Sequence, residues 1–232
     1  MMKKLKLLAV TFDSRIESWE LPKFKHELSS VIDPYEEWFH ELNADDDNPI
    51  MERYFYRYKL YQYKSLFNNP VLICLDQNIE QANQLFSEEK WYSNAFRAKH
   101  FPIKKLDSRE YDMHQNYVRT YRIYNWMPLS GDDYRRYQGL RGLAAKLEFL
   151  HPKLIQHLAG FCDGIQWRLM EPIFANILEL FEDRFVSFKG QKMLTFNFSF
   201  ESNIPVPDLV SIGKGVQYGF GVVRPYSLNR MR

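Results

Sequence analysis

The order of strand and helix signals in the first hundred residues is the feature that most limits how this chain folds. Residues 3–12 (KKLKLLAVTF) have the composition of a strand, and Pro22 then opens a helix. The apolar residues of that helix recur at helical spacing: Phe24, Leu28, Val31 and Ile32. The chain therefore starts with a strand followed by a helix.

The next four elements complete a recognisable motif. Residues 51–63 are rich in Tyr and Phe, which favours an extended conformation, and residues 70–75 (PVLICL) predict another strand. Asp76 is placed to cap a short helix, and residues 95–105 predict a strand that Pro102 weakens. That short helix has one apolar face: Ile79, Ala82 and Phe86. The order βαββαβ is the ferredoxin-like split motif, with two helices on one face of an antiparallel sheet.

The second half repeats the same classes of element. Residues 117–127 favour an extended conformation, and Ser130 with Asp133 forms a variant capping box that opens a helix through about residue 149. A second helix is predicted from near Pro152 to Gly164. Alternate residues are apolar in the strand that follows: Leu194, Phe196, Phe198 and Phe200.

These patterns predict an α+β protein of two tandem ferredoxin-like (RRM-like) domains with antiparallel sheets. The polar stretch 107–116 is a candidate linker, which gives domains at 1–110 and 111–232. The last segment shows no helical pattern where a second copy of the motif needs one, so the second domain is predicted to be a variant.

Composition excludes several classes of protein. The chain is 45% hydrophobic and 26% charged, as folded globular proteins are, and its net charge of +2 does not by itself indicate nucleic acid. Cys74 and Cys162 lie among apolar residues, which indicates reduced, buried thiols. No apolar run approaches the ~20 residues of a membrane helix, so we expect a cytoplasmic protein. Histidines and cysteines show no zinc-like spacing, so no metal or cofactor is expected.

A glycine-rich, basic segment near the end is the clearest candidate binding element. Four glycines fall within nine residues, interleaved with cationic and aromatic side chains: Gly213, Lys214, Gly215, Tyr218, Gly219 and Gly221, followed by Arg224. Such a loop lets backbone N–H groups and a cation approach phosphate closely. The spacing matches neither common nucleotide-binding fingerprint, and a tight turn beside a strand explains the glycines equally well.

Five segments in this order resemble the repeat-processing endoribonucleases of CRISPR systems, the Cas "six" type of the RAMP superfamily. They are ELPKFKHEL, YRYKLYQYK, PVLICLDQNIEQANQLF, LAGFCDGIQW and the glycine-rich tail. The resemblance runs from the first strand to Arg224. It implies two ferredoxin-like domains, a glycine-rich loop that contacts RNA or shapes its cleft, and metal-independent cleavage of precursor CRISPR RNA within its repeats. The substrate's own 2′-hydroxyl is then the nucleophile, and the protein supplies proton transfer and charge stabilisation.

The resemblance also selects candidate catalytic residues. The family places its active histidine after the first helix, where this chain has His40, while the exposed position of His26 on that helix makes it the reserve candidate. Relatives often carry a second histidine nearby, where this chain has Glu41 and Asn43. The aromatic segment supplies one hydrogen-bond donor and two cations for the developing phosphorane charge: Tyr56, Arg57 and Lys64. A half-exposed strand accounts for those three equally well.

Three further cations lie on the helix predicted to start at Ser130: Arg135, Arg136 and Arg141. Cations on a helix can hold an RNA stem by its phosphates, although a solvated helix face is the ordinary interpretation. The predicted partner is CRISPR repeat RNA, with other CRISPR effector subunits and a second copy of the chain as further candidate partners. The predicted function is an endoribonuclease that produces mature guide RNAs, and the alternative is a non-catalytic RNA-binding subunit of a CRISPR effector complex.

Overall fold

The computed structural model describes residues 3–32, 59–87, 91, 101–188 and 190–226, with the side chains of residues 30–32 excepted. Their contacts divide them into two compact units. The N-terminal unit holds the described residues between 5 and 111 together with 217–219. The C-terminal unit holds residues 3–4, 112–216 and 220–226. A short piece of the glycine-rich loop therefore belongs to the first unit.

The first sheet has the ferredoxin-like strand order that the sequence predicts. Its order is β2-β3-β1-β4, and β3 pairs antiparallel with both of its neighbours. Within the described residues, helices lie between β1 and β2 and between β3 and β4, and a 3-10 turn, Ser18–Glu20, precedes the first helix. The elements are β1 Lys3–Phe12, α1 Leu21–Ile32, β2 Tyr61–Leu66, β3 Asn69–Leu75, α2 Asn78–Phe86 and β4 Ile103–Met113.

The core of the N-terminal unit lies between this sheet and its helices. The predicted apolar positions of the helices are buried there wherever their side chains are described: Phe24, Leu28, Ile79, Ala82 and Phe86. Phe12 forms the centre, with ring contacts to Phe24 at 5.4 Å and Phe86 at 5.9 Å between centroids. The buried indole of Trp91 donates to the Phe101 carbonyl at 3.0 Å. Aromatic side chains thus occupy the centre of this core.

Several predicted boundaries are wrong. Within the described part of the predicted strand 51–63, the strand begins only at Tyr61, and it continues to Leu66. Strand β4 starts after Pro102, which has no N–H to donate to a ladder, and continues to Met113 through most of the proposed linker. Asp76 does not cap α2: its carboxylate accepts the Lys6 N–H at 3.2 Å, and Gln77 occupies the cap position.

The second sheet repeats the strand order of the first, β6-β7-β5-β8. Two helices connect its first two strands, whereas residues 203–221 connect the last two without any helix, as the sequence predicts for a variant domain. The alternating side chains of β7 are buried at all four predicted positions. The elements are β5 Arg119–Trp126, α3 Gly131–Gly139, α4 Leu143–Gly164, β6 Ala175–Phe188, β7 Gln191–Ser202 and β8 Val222–Pro225.

The two helices of this unit divide at a different place from the predicted one. The capping box is confirmed: Asp133 N–H donates to Ser130 Oγ at 3.2 Å, and Ser130 N–H donates to Asp133 Oδ2 at 3.1 Å. The first helix ends at Gly139, however, and the next begins after Gly142, whose φ of +80° breaks the helical path. Pro152 lies inside α4 instead of opening it.

Candidate active site and RNA interface

The middle of the glycine-rich loop lies along strand β2. Tyr218 and Tyr63 form a parallel β-bridge, and residues 217–219 belong to the same unit as β2. Strand β2 is the outer strand of its sheet, and an outer strand presents backbone N–H and C=O groups that need partners. This part of the loop therefore covers the edge of the strand that carries Lys64.

Gly219 allows this close approach. Its φ is +76°, and a Cβ atom placed there would lie 3.0 Å from Leu21 Cδ2 and 3.6 Å from the Tyr63 carbonyl oxygen. The Lys64 Cα is 4.0 Å from the same point. Both the backbone conformation and the space beside β2 thus favour a residue without a side chain.

Lys25 lies between the two tyrosines that meet at this bridge. Its Nζ is 5.8 Å from the centroid of the Tyr63 ring and 5.5 Å from that of Tyr218, which are cation–π distances. The residue is only 5% exposed. The loop is thereby held to α1 and β2 by a buried cation as well as by the backbone bridge.

Lys64 is the predicted catalytic residue whose surroundings the structure describes most fully. It is 1% exposed, and its Nζ donates to Gln62 Oε1 at 3.2 Å, an oxygen that is itself buried. Burial lowers the pKa of Lys64 from 10.5 to about 7, because the charged amine is costly away from water. An amine with such a pKa exchanges its proton near neutral pH, as a general acid or base must.

Three of the four predicted catalytic residues, His40, Tyr56 and Arg57, lie outside the described residues. The reserve histidine, His26, is exposed on α1, in agreement with its place off the apolar stripe. Of the four predicted catalytic residues, the structure therefore describes Lys64 alone, besides the reserve candidate His26. It brings Lys64 together with two predicted RNA-binding residues, Tyr218 and Gly219.

The base of the glycine-rich loop is closed tightly within the C-terminal unit. Ile212 N–H donates to the Gly221 carbonyl at 2.9 Å, and Gly221 N–H donates to the Asn125 carbonyl at 3.1 Å. A Cβ atom on Gly221 would lie only 2.0 Å from the Ile212 carbonyl oxygen. Gly221 thus shapes the loop through its backbone.

A half-buried histidine supports the start of the loop. Trp126 Nε1 donates to Nδ1 of His157 at 3.0 Å, and a Cβ atom on Gly213 would meet these two ring nitrogens at 2.9 and 3.1 Å. Burial, together with the positive charges of Lys214 and Lys153, lowers the pKa of His157 from 6.5 to about 4. His157 is therefore neutral at physiological pH and acts as an acceptor.

Lys214 itself is half-buried, and burial lowers its pKa, although the charge of Asp133 opposes that shift. Asp133 forms a 2.7 Å ion pair with Lys153. Partial burial would raise the pKa of Asp133, but hydrogen bonds from Lys153 and Ser130 hold it at about 2. Lys214, a predicted RNA-binding residue, thus has one negatively charged neighbour, Asp133, and one positively charged neighbour, Lys153.

The predicted RNA-binding arginines differ in how available they are. All three arginines on and after α3 are exposed, and Arg135 forms an ion pair with Asp132 on the same helix. Arg224 donates from Nε and Nη2 to the two carboxylate oxygens of Asp208, at 3.1 and 3.4 Å. Asp208 therefore offsets the charge of Arg224, whereas Arg136 and Arg141 form no ion pair with any described residue.

Two features of the site escaped the sequence analysis. Lys25 follows Leu21 by four residues and so falls on the apolar stripe of α1, a position where a lysine signals a specific partner. Gln62 and Lys64 alternate with the aromatic side chains of β2, and both are buried. A strand that is buried on both faces and polar on one is typical of a functional site.

Burial raises the pKa of both thiols, Cys74 and Cys162, in agreement with the expected inert, reduced state. Among the described residues, no three His, Cys, Asp or Glu side chains converge on a metal site. No helix in the described ranges is long and apolar enough to cross a membrane.

Comparison with known proteins assigns both halves of the chain to one family. The sequence model of the Cas6b N-terminal domain matches residues 3–112, and that of the Cas6b C-terminal domain matches residues 113–226. An uncharacterized protein of Methanocaldococcus jannaschii is 29% identical over 119 residues, which cover 51% of this chain and 80% of that protein.

Solved structures share the fold. A crystal structure of the CRISPR RNA processing endoribonuclease Cas6b matches with a TM-score of 0.67, and a second Cas6b structure with a TM-score of 0.64. Each is 17% identical, and each alignment covers 97% of this chain and 100% of the other. The type IV CRISPR-Cas endonuclease Csf5 matches with a TM-score of 0.58 and 9% identity over 97% of this chain and all of that one. At these identities the likeness concerns the fold.

Proposed function

Because the chain belongs to the Cas6b family, we propose that it is a metal-independent endoribonuclease that cleaves precursor CRISPR RNA within its repeats. The observation that carries the proposal is the buried amine of Lys64, with a pKa of about 7, on the strand that pairs with Tyr218 of the glycine-rich loop. A buried amine able to carry a positive charge near neutral pH thus lies beside the segment expected to meet the RNA.

In the proposed reaction the 2′-oxygen of one nucleotide attacks the adjacent phosphorus, and the bond from phosphorus to the 5′-oxygen breaks. A base removes the 2′-hydroxyl proton, and an acid gives a proton to the leaving oxygen. The products are a 2′,3′-cyclic phosphate and a 5′-hydroxyl end. Since the nucleophile belongs to the substrate, the protein need supply only proton transfer, orientation and charge stabilisation.

We assign one of the two proton transfers to His40, which follows the family's arrangement, with His26 in reserve. Lys64 in its protonated form stabilises the negative charge of the phosphorane, since a cation in a water-excluded site acts strongly on developing charge. Tyr56 and Arg57 are the further candidates for that charge.

The glycine-rich loop is assigned to RNA binding. Lys214 and Tyr218 contribute a cation and a ring, while Gly213, Gly215, Gly219 and Gly221 let the backbone approach closely and keep the loop's shape. The exposed arginines on and after α3 contact phosphates of the repeat. Arg224 binds a phosphate only if its hydrogen bonds to the Asp208 carboxylate break.

The proposal is tested by incubating the purified protein with its repeat RNA in excess EDTA. Cleavage to a cyclic phosphate end is expected for the wild type, and a loss of roughly 100-fold or more is expected for His40→Ala and for Lys64→Met. Lys23→Met is the control, because Lys23 is an exposed lysine of α1. Full activity of Lys64→Met would contradict its assigned role.

The non-catalytic alternative has one sequence observation in its favour: Glu41 and Asn43 stand where relatives often carry a second histidine. Tight, salt-sensitive binding of repeat RNA that remains intact at every pH tested would establish the binding subunit and refute the nuclease.

A further inference from the structure

The turn between β2 and β3 has an unfavourable residue at its tip. Leu66 pairs with Asn69, so Phe67 and Asn68 form a two-residue turn, with φ values of +51° and +64°. Positive φ at both positions is the pattern of a type I′ turn, which favours Asn-Gly or Asp-Gly. A left-handed conformation costs a residue with a bulky side chain roughly 1–2 kcal/mol.

Packing does not offset this cost, because the side chain of Phe67 is 95% exposed. A large ring in contact with water, on a backbone that disfavours it, contributes nothing to the stability of the fold. Binding of another molecule to the ring therefore accounts for a phenylalanine at position 67 better than the fold does.

Phe67 borders a polar cleft of about 470 Å³ at this end of the N-terminal unit. Arg15 is exposed there and forms no ion pair with any described residue, while Lys104 lies 3.6 Å from Asp13. The formal charge of the cleft is therefore +1. Asp13, Ser14, Arg15, Phe67, Asn68, Asn69 and Lys104 line it.

Hydrogen bonds hold the walls of the cleft in place. Asn69 Nδ2 donates to the carbonyls of Ser14 at 2.9 Å and Phe12 at 3.4 Å, and Ile16 N–H donates to the Asn68 carbonyl at 2.8 Å. The Ser14 hydroxyl is buried and has no hydrogen-bond partner among the described residues. A preformed cleft with an unsatisfied hydroxyl is suited to a polar ligand.

An exposed ring with neighbouring cations matches single-stranded nucleic acid. Bases of any sequence stack on aromatic side chains, and phosphates bind the adjacent cations. Phe67 follows Lys64 by three residues, which is about 10 Å along an extended strand. An RNA strand positioned for reaction at Lys64 has its neighbouring nucleotides within reach of this turn.

We propose that Phe67 is a stacking platform for a base that flanks the cleaved bond, with Arg15 and Lys104 on the adjacent phosphates. This inference rests on the proposed RNA function. It adds a second contact region to the glycine-rich loop, and it predicts that the protein holds an unpaired nucleotide at this position.

The decisive variant is Phe67→Asn. Asparagine tolerates the left-handed conformation, so the thermal stability of the variant should equal or exceed that of the wild type. Loss of one stacked base should weaken repeat RNA binding by roughly 5- to 100-fold. Phe67→Tyr should bind normally. Tyr117→Asn, at another exposed aromatic residue, serves as the control and should leave binding unchanged.

A second measurement reports stacking directly. Repeat RNAs are prepared with 2-aminopurine at one position at a time, and its fluorescence should be quenched at one position in the wild type and recover in Phe67→Asn. Arg15→Gln and Lys104→Gln should each reduce the dependence of log affinity on log salt by about 1.

The outcomes separate this inference from the proposed function. If the wild type binds no repeat RNA, both fail. If the wild type binds RNA and Phe67→Asn binds it equally well, the stacking platform alone is refuted. Normal RNA binding by Phe67→Asn with loss of a protein partner would likewise overturn it, in favour of a protein-docking turn.

Discussion

Trp126 donates its indole N–H to Nδ1 of His157 across 3.0 Å, and this pair of rings, 5.4 Å apart and nearly perpendicular, lies directly beneath Gly213. The bond requires a neutral imidazole, because a protonated one has no acceptor atom. The first glycine of the loop therefore packs on a contact that depends on the protonation state of a half-buried histidine.

This contact predicts a loss of stability in acid. The folded pKa of His157, about 4, is below its unfolded value of 6.5, so between these values the unfolded state binds more protons and the free energy of unfolding decreases as the pH is lowered. The loss from pH 7.5 to pH 5 is about 2 kcal/mol. Urea unfolding of the wild type and His157→Gln measures it, since glutamine accepts the indole bond without titrating.

The control for that experiment is His26→Gln, which removes an exposed histidine of α1 and so measures what loss of a surface imidazole alone does to the acid dependence of stability. Equal acid sensitivity of the wild type and His157→Gln would show that His157 does not titrate as predicted.

Lys64 should destabilise the fold at neutral pH. Its folded pKa, about 7, lies below its unfolded value of 10.5, so the unfolded state binds more protons between these values and stability rises with pH by up to roughly 1.4 kcal/mol per unit. Lys64→Met should remove this rise, and it should be more stable than the wild type at pH 7. The difference in unfolding free energy between the two proteins, measured from pH 7 to 10, checks this.

Tyrosines and thiols titrate in the same range but are shared by both proteins, so the difference isolates Lys64. A constant difference across that range would contradict a depressed pKa.

Gly221 should tolerate no side chain. In Gly221→Ala the new methyl group meets the Ile212 carbonyl at 2.0 Å on a backbone with φ of +66°, so the variant should lose at least about 2 kcal/mol of stability. Thermal unfolding measures the loss. The matched control is Gly160→Ala in α4, where nothing lies within 4 Å and alanine should be neutral or stabilising by up to about 1 kcal/mol. Equal stabilities of the two variants would refute the steric argument.

The three arginines on and after α3 should contribute to RNA affinity but not to recognition of the RNA sequence. Replacing Arg135, Arg136 and Arg141 together by glutamine should lower the slope of log affinity against log salt by about 2–3, if each contacts one phosphate. Filter binding at several salt concentrations, on the repeat RNA and on an unrelated RNA, measures the slope. Arg168→Gln removes a single exposed cation as a control, and an unchanged slope in the triple variant would place the RNA elsewhere.

Periodicity and order predicted most of the fold. The alternating Phe196, Phe198 and Phe200 are all buried in β7, and the βαββαβ order gave the correct sheet. The predicted helix boundaries were wrong where backbone geometry determines them. Gly142 interrupts the helix ten residues before Pro152, and Pro152 itself lies inside α4. Local propensity does not indicate which of two helix-breaking residues, Gly142 or Pro152, separates the two helices.

The candidate site was predicted in part. The glycine-rich loop and Lys64 were identified as separate segments, but nothing in the spacing indicated that Tyr218 pairs with Tyr63. That contact joins residues 155 positions apart, and a local sequence pattern cannot predict a contact at that separation. The burial of Lys25 and the low pKa of Lys64 follow from such contacts, so they too are read only from the structure.

The bridge between Tyr63 and Tyr218 has a consequence for synthesis. During translation the edge of β2 cannot pair with residues 217–219 until residue 219 has left the ribosome, because more than 150 residues separate Tyr63 from Tyr218. The N-terminal unit is thus completed only after residues 112–216 have been synthesised. A fragment ending at residue 112 would expose an open strand edge and should self-associate.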